Sequence, residues 1–186
     1  MMRRLRSALA LSALGWLAVM YAVGELPRHG HFNAARDEGG VLTFPPPAVK
    51  KMVMNYAGER FEATREGTGW RFRPAPRSTE RLTRQIEAAL RYLHVSPPVR
   101  RLGYPAKADP VLAASGLSPP VGSLVITSGS GERHRFSLGG AAPDRILRYL
   151  RDDDSGELHL MSGFVAGAWD EVAKAWKSGP RQAYKR

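Results

Sequence analysis

Apolar and polar positions follow two periods along this chain, and each predicts a set of elements. Val49, Met52, Met54 and Tyr56 alternate imperfectly with polar neighbours, the pattern of a half-buried strand. Ala57-Gly58-Glu59 turns the chain, and Arg60 to Arg65 alternates again through Phe61 and Ala63. Gly67-Thr68-Gly69 turns it once more, and Trp70 and Phe72 then share one strand face. These segments predict a three-stranded antiparallel meander, closed by Pro74 and Pro76.

The period then lengthens. Leu82, Ile86, Ala89, Leu90 and Leu93 form one apolar helical stripe, with Arg81, Arg84, Glu87 and Arg91 mostly off it. Ser78 or Thr79 caps this helix and Pro97-Pro98 stops it. Val99 to Leu102 reads as a short strand, and Asp109-Pro110 opens a helical turn ended by Gly116. Four strand signals follow: Leu124 to Ile126, His134 to Leu138, Ile146 to Arg151, and Leu158 to Met161. Ser128-Gly129-Ser130-Gly131, Gly139-Gly140 and the polar Asp152 to Gly156 separate them as turns. Ser162 caps a last helix with Val165, Ala168, Trp169, Val172, Ala173 and Trp176 on its stripe, stopped by Gly179-Pro180. The predicted class is α+β, a mainly antiparallel sheet of meanders with two longer helices packed on it. Each half reads as a meander followed by a helix, which raises a degenerate repeat without residue-level identity. The expected core includes Trp70, Phe72, Leu90, Phe136, Leu138 and Trp169.

The amino terminus follows neither period. Ser7 to Gly24 carries no formal charge, and 18 helical residues reach ~27 Å, enough to cross a hydrocarbon core with short flanks. Arg3, Arg4 and Arg6 precede the run, so the positive-inside rule keeps them in the cytoplasm and exports the rest. Two readings compete: an uncleaved signal anchor, and a signal peptide cleaved near Gly24 that releases a secreted soluble protein. The organisation expected is a cytoplasmic stub at 1–6, a transmembrane span at 7–24, a linker arm at 25–48, an extracytoplasmic domain at 49–177 and a basic tail at 178–186. Pro45-Pro46-Pro47 gives the arm a stiff end, and Gly40 to Phe44 has the makings of a short strand.

Composition narrows the chemistry. There is no cysteine among the 186 residues, which excludes a disulfide framework, a thiolate zinc site, a cysteine nucleophile and a lipoprotein anchor. Lys and Arg total 28 against 17 acids, a formal net charge of +11. Three of these charges precede the span and set topology, leaving +8 outside. Arg71 and Arg73 share a strand face opposite Trp70 and Phe72, Arg133 and Arg135 share another, and Arg148 stands on a third strand. They are the candidate contacts for an anionic partner: lipid headgroups, a cell-wall polymer or an acidic protein, the external location weighing against nucleic acid. The competing reading is a solvated surface in an arginine-preferring genome.

The remaining motifs are weaker. His29 and His31 have a spacing that can share a metal, but they lie in the arm with no third ligand near in sequence. His94, His134 and His159 are dispersed. Asp152 to Glu157 departs from calcium-loop spacing, with its glycine fifth rather than sixth. Ser128 to Gly131 has neither a nucleophile elbow nor a phosphate-loop lysine. No catalytic set, cofactor or metal is assigned.

A series of signposts runs through the folded part. Gly69-Trp70-Arg71-Phe72-Arg73-Pro74, the Leu82 to Leu93 helix, Arg100-Arg101-Leu102 and Ser115-Gly116-Leu117-Ser118-Pro119-Pro120 come first. Leu124-Val125-Ile126, Phe136-Ser137-Leu138-Gly139-Gly140, Tyr149-Leu150-Arg151 and Leu158-His159-Leu160-Met161 follow. In this order they resemble the domain of unknown function 4340 family, and the resemblance runs from about Val49 to Met161. It implies an extracytoplasmic domain behind one membrane helix at the bacterial inner membrane, in some members linked to ABC-type export or gliding-type machinery, and it implies no catalytic residues. The signature residues have structural roles to fill. Trp70 buries its ring, Gly116 takes a left-handed conformation beside Leu117, Pro119 and Pro120 hold an extended lead into the next strand, and Gly139 permits a tight turn.

The function expected from this reading is a non-enzymatic, membrane-anchored binding or accessory domain of an envelope or transport-associated complex. The alternative from another class is a small envelope hydrolase or metal-dependent enzyme, which requires His134, His159 and an Asp to converge.

Overall fold

The computed structural model describes residues 39–106 and 109–177. The expected stub and span, the greater part of the arm with His29 and His31, and the basic tail lie outside the described residues. Within the described residues, no helix is long and apolar enough to cross a membrane.

A single 3-10 turn at Pro46–Ala48 leads into β1 (Val49–Tyr56), β2 (Glu59–Glu66) and β3 (Gly69–Arg73). Helix α1 (Thr79–Val95), β4 (Arg100–Gly103) and the short α2 (Pro110–Ala114) follow. The chain ends in β5 (Gly122–Ser128), β6 (Arg133–Ala141), β7 (Leu147–Asp152), β8 (Leu158–Ser162) and α3 (Gly163–Lys177). The strands form one eight-stranded sheet in the order β3-β2-β1-β5-β6-β7-β8-β4. Every neighbouring pair is antiparallel. The fold is α+β.

From the central β1–β5 pair the order runs outward through β2 and β3 on one side, and through β6 and β7 on the other. The meanders β1–β3 and β5–β7 therefore run outward alike from that pair, but β8 comes between the second meander and its helix.

Cross-strand partners share a sheet face, so register determines what each face displays. One face carries Met52, Met54, Phe61, Ala63, Trp70, Phe72, Leu124, Ile126, Phe136, Leu138, Leu150 and Met161, all buried in one core with the stripes of α1 and α3. The two helices pack side by side over it. Trp176 of α3 meets Phe61 and Phe72 at ring-centroid distances of 5.1 and 5.3 Å and donates its indole N–H to the Pro74 carbonyl at 2.6 Å. Each of the six residues expected in the core is buried. Ser78 is the cap of α1, its hydroxyl accepting from the Arg81 amide.

Three local expectations change. The segment from Gly39 belongs to the folded unit. Leu42 and Phe44 are buried at 1% and 7% exposure. The amides of Gly40 and Leu42 donate to the His94 and Leu93 carbonyls, so this segment satisfies the end of α1 instead of pairing as a strand. Gly139 and Gly140 lie inside β6, where the register with β7 shifts, rather than at a turn. Leu117 bridges to Pro120 around a cis Ser118–Pro119 peptide, so these prolines stand in a tight turn and not in an extended lead.

Candidate functional site

The second face of the sheet is covered at one end. There Leu112 of α2, Leu117 and Leu158 form a small buried cluster against Tyr149. Three signature residues meet in this cap. Gly116 has φ +66°, which lets the chain double back so that the Leu117 amide donates to the Leu112 carbonyl. Gly139 lies beneath it, where an added Cβ would come within 2.7 Å of the Ser115 carbonyl oxygen and 2.8 Å of the Tyr149 Cβ. The close approach of α2 to β6 thus requires a residue without a side chain. Trp70 is on the other face, its N–H donating to Glu87 at 2.8 Å while the Arg65 guanidinium lies 4.4 Å from its ring.

Over β3, β2, β1, β5 and β6 this second face bears polar and charged residues. Register aligns them in rows across the strands. Arg71 pairs with Thr64, Thr64 with Lys51, Lys51 with Thr127, and Thr127 with Arg133. One residue pair along, Arg73 aligns with Glu62, Val53, Val125 and Arg135. Arg71, Arg73, Arg133 and Arg135 are all exposed. The two arginine pairs expected on separate strand faces therefore share one sheet face, on an edge strand and on the fifth strand counted from that edge. Four strand steps of about 4.8 Å separate them by ~19 Å.

The charges are partly matched. Lys51 pairs with Glu62 and Arg71 with Glu66, both at 2.8 Å, and Arg135 pairs with Asp154 at 2.7 Å. The Glu62 carboxyl is held below its ordinary pKa, first by its hydrogen bond to Lys51. Glu62, Thr64, Glu66, Arg71 and Arg73 line a shallow depression of about 110 Å³ at the β2–β3 side. Exposed ion pairs of this kind contribute little and exchange readily with solution anions.

Arg148 is placed elsewhere. It lies on the helix-covered face, half-buried, paired with Asp170 of α3. Asp170 also accepts a 2.7 Å hydrogen bond from the Tyr56 hydroxyl. Burial foremost, and then this bond to Asp170, push the Tyr56 phenol above its ordinary pKa. The group ties β1, β7 and α3 together, and nothing in local sequence marks it.

The histidines do not converge. His94 contacts the Leu42 carbonyl at 2.9 Å, and His134 contacts the Thr43 hydroxyl at 2.8 Å and stacks on Phe136. His159, only 4% exposed, pairs in register with Arg101 of the edge strand. His134 pairs with Ile126 of β5, while His159 pairs with Leu150, itself opposite Leu138. Two strand steps and four residues along the sheet put the two rings ~16 Å apart. Among the described residues no three His, Asp or Glu side chains gather as a metal site. Asp152 to Gly156 forms a turn in which Asp152 accepts from the Asp154 amide and the Ser155 hydroxyl.

A second concavity, about 460 Å³, lies between the outer sides of α1 and α3, where Ala88, Gly167 and Ala168 leave room beside Tyr92 and the 66%-exposed Phe164.

Comparison with known proteins finds no matching family model, no matching curated protein and no matching solved structure.

Proposed function

We propose that this chain is a non-enzymatic, membrane-anchored accessory domain of the bacterial envelope that receives an anionic partner on the part of the sheet face that no described element covers. The observation that carries this reading is the alignment of Arg71, Lys51 and Arg133 across five strands of one exposed face. No enzyme need be invoked for a face of this kind. Its cations and hydroxyls, with Glu62 and Glu66 beside them, suit charge complementarity rather than bond chemistry.

The anchor rests on the sequence. Residues 7–24 span the bilayer, Arg3, Arg4 and Arg6 stay in the cytoplasm, and the domain stands outside. The order of motifs from Val49 to Met161 supports a place near the domain of unknown function 4340 family and, through it, an envelope or ABC-type transport-associated complex.

Two measurements test the proposal. The full chain should stay in the membrane pellet after alkaline extraction, with its carboxyl terminus reached by protease from outside the cytoplasmic membrane. A soluble product with a new amino terminus near Gly24 would establish secretion instead. Mild detergent extraction followed by co-purification should then recover a partner that is released by salt and by loss of the arginines on the sheet face. Recovery of the chain alone, with or without those arginines, would refute the binding role.

A further inference from the structure

The part of the sheet face that no described element covers carries an inference about the shape of its ligand, resting on the reading that this face receives an anionic partner. We infer that the ligand is a linear anionic polymer without stacking groups, a polyol phosphate or a polyuronate, lying across the strands along the row Arg71–Thr64–Lys51–Thr127–Arg133.

Three features of the row point to such a ligand. The first is its spacing. Arg71, Lys51 and Arg133 stand on β3, β1 and β6, and Lys51 is two strand steps from each of the others. At about 4.8 Å per step the cations recur about every 9.6 Å. A threonine hydroxyl stands between each pair of cations. Cation, hydroxyl, cation, hydroxyl, cation is a pattern that repeats in one dimension, as a polymer does.

The second feature is twist. Neighbouring strands rotate by about 20–25°, so the four steps turn the face by about 80–100° around the axis of the row. A planar bilayer cannot meet Arg71 and Arg133 together on such a surface. A flexible chain lying along the axis can follow it from end to end.

The third feature is what the row lacks. Between the cations stand Thr64 and Thr127, with Val53 and Val125 in the adjacent row. Neither row offers an aromatic ring to stack a nucleobase, and the depression beside Arg71 is lined by charged and hydroxyl side chains that do not suit an apolar anchor of a protein partner. Glu66 holds Arg71 in an exposed pair that a polyanion displaces at small cost, while Glu62, half-buried, holds Lys51. Arg133 has no acid opposite it in the row, because its register partner is Thr127.

The test uses the full chain in nanodiscs of zwitterionic lipid. Binding is titrated with linear polyglycerol phosphate, polygalacturonate, oligothymidylate and phosphatidylglycerol vesicles. The row variant carries Lys51→Gln, Arg71→Gln and Arg133→Gln; the control, with the same loss of charge, carries Arg77→Gln, Arg81→Gln and Arg91→Gln. Unchanged thermal midpoints confirm that these substitutions leave the fold intact.

At least one of the two polymers should bind, and which of them does so identifies phosphate or carboxylate as the recognised group. Each row substitution should weaken binding about twofold to fivefold, and the control should leave it nearly unchanged. Oligomers shorter than the ~19 Å row should bind more weakly than longer ones. If the vesicles or the oligothymidylate bind through the row and the two polymers do not, the basic-face reading stands and the linear-polymer inference falls. If no probe separates the row variant from the control, both fall.

Discussion

Gly139 shows how much one missing side chain can decide. An alanine there would press its Cβ into the Ser115 carbonyl and the Tyr149 side chain, both closer than van der Waals contact permits. Gly139→Ala should destabilise the domain by about 1–3 kcal/mol, as overpacking does, with the loss read from the urea midpoint. His159 makes a different residue-scale prediction. Burial drives its pKa below the ordinary 6.5, against the opposing pull of Glu157. The unfolded chain therefore binds a proton that the folded chain resists. The stability this withholds is absent above 6.5 and grows as pH falls from there toward the depressed folded value. Stability should decline over that window in the native chain and decline less in His159→Gln, as comparison of unfolding midpoints at neutral and mildly acidic pH will show. Sequence marked Gly139 as a turn residue, because two adjacent glycines seldom lie in a strand, yet it lies inside β6. It did not say what would lie against it, since Ser115 comes from a segment 24 positions away.

Among the elements, the helices were the most legible. Their stripes are set by spacing alone, and Leu82, Ile86, Ala89, Leu90 and Leu93 are all buried as that spacing requires. The cap of α1 resolves to Ser78, and Ser78→Ala should cost about 1 kcal/mol, visible as a lower thermal midpoint. The strands were legible in number and approximate limits, because hairpin partners are neighbours in sequence and turn residues bracket them. The segment from Gly39 to Ala48 was not. Prolines and glycines there signal a linker, and only the position of the α1 terminus shows that Leu42 fills the core beneath it. Leu42→Ala should therefore destabilise by about 2–5 kcal/mol, measured by denaturant unfolding. A solvated linker would register almost nothing.

For the whole molecule, charge is the dominant property. At about 0.01 M salt the screening length of about 30 Å spans a domain of this size, and at 0.15 M it falls to about 8 Å. With +8 of the +11 formal charges on the external part, self-repulsion acts over the longer distance. The thermal midpoint should rise as salt increases across this range, because exposed ion pairs such as Arg71–Glu66 lose less by screening than the whole surface gains. A midpoint that falls with salt would mean that the ion pairs outweigh the repulsion.

The sequence by itself determined the class of the fold, the order of its elements and the buried stripes, because each depends on the period of nearby residues. It also supplied the hydrophobic run and the flanking arginines from which a membrane anchor is proposed. The tertiary structure alone decided which arginines share a sheet face. Arg71 and Arg133 are 62 positions apart in the chain, and no local period relates them. They join one row because β1 pairs with β5 in a register that places Lys51 between Thr64 and Thr127. A shift of one residue in that pairing would turn β5 and β6 over relative to β1, sending Arg133 to the helix-covered face and Phe136 to solvent. Burial of Phe136, Leu124 and Ile126 forbids the shift, so the apolar face of the sheet fixes the charged face on its other side.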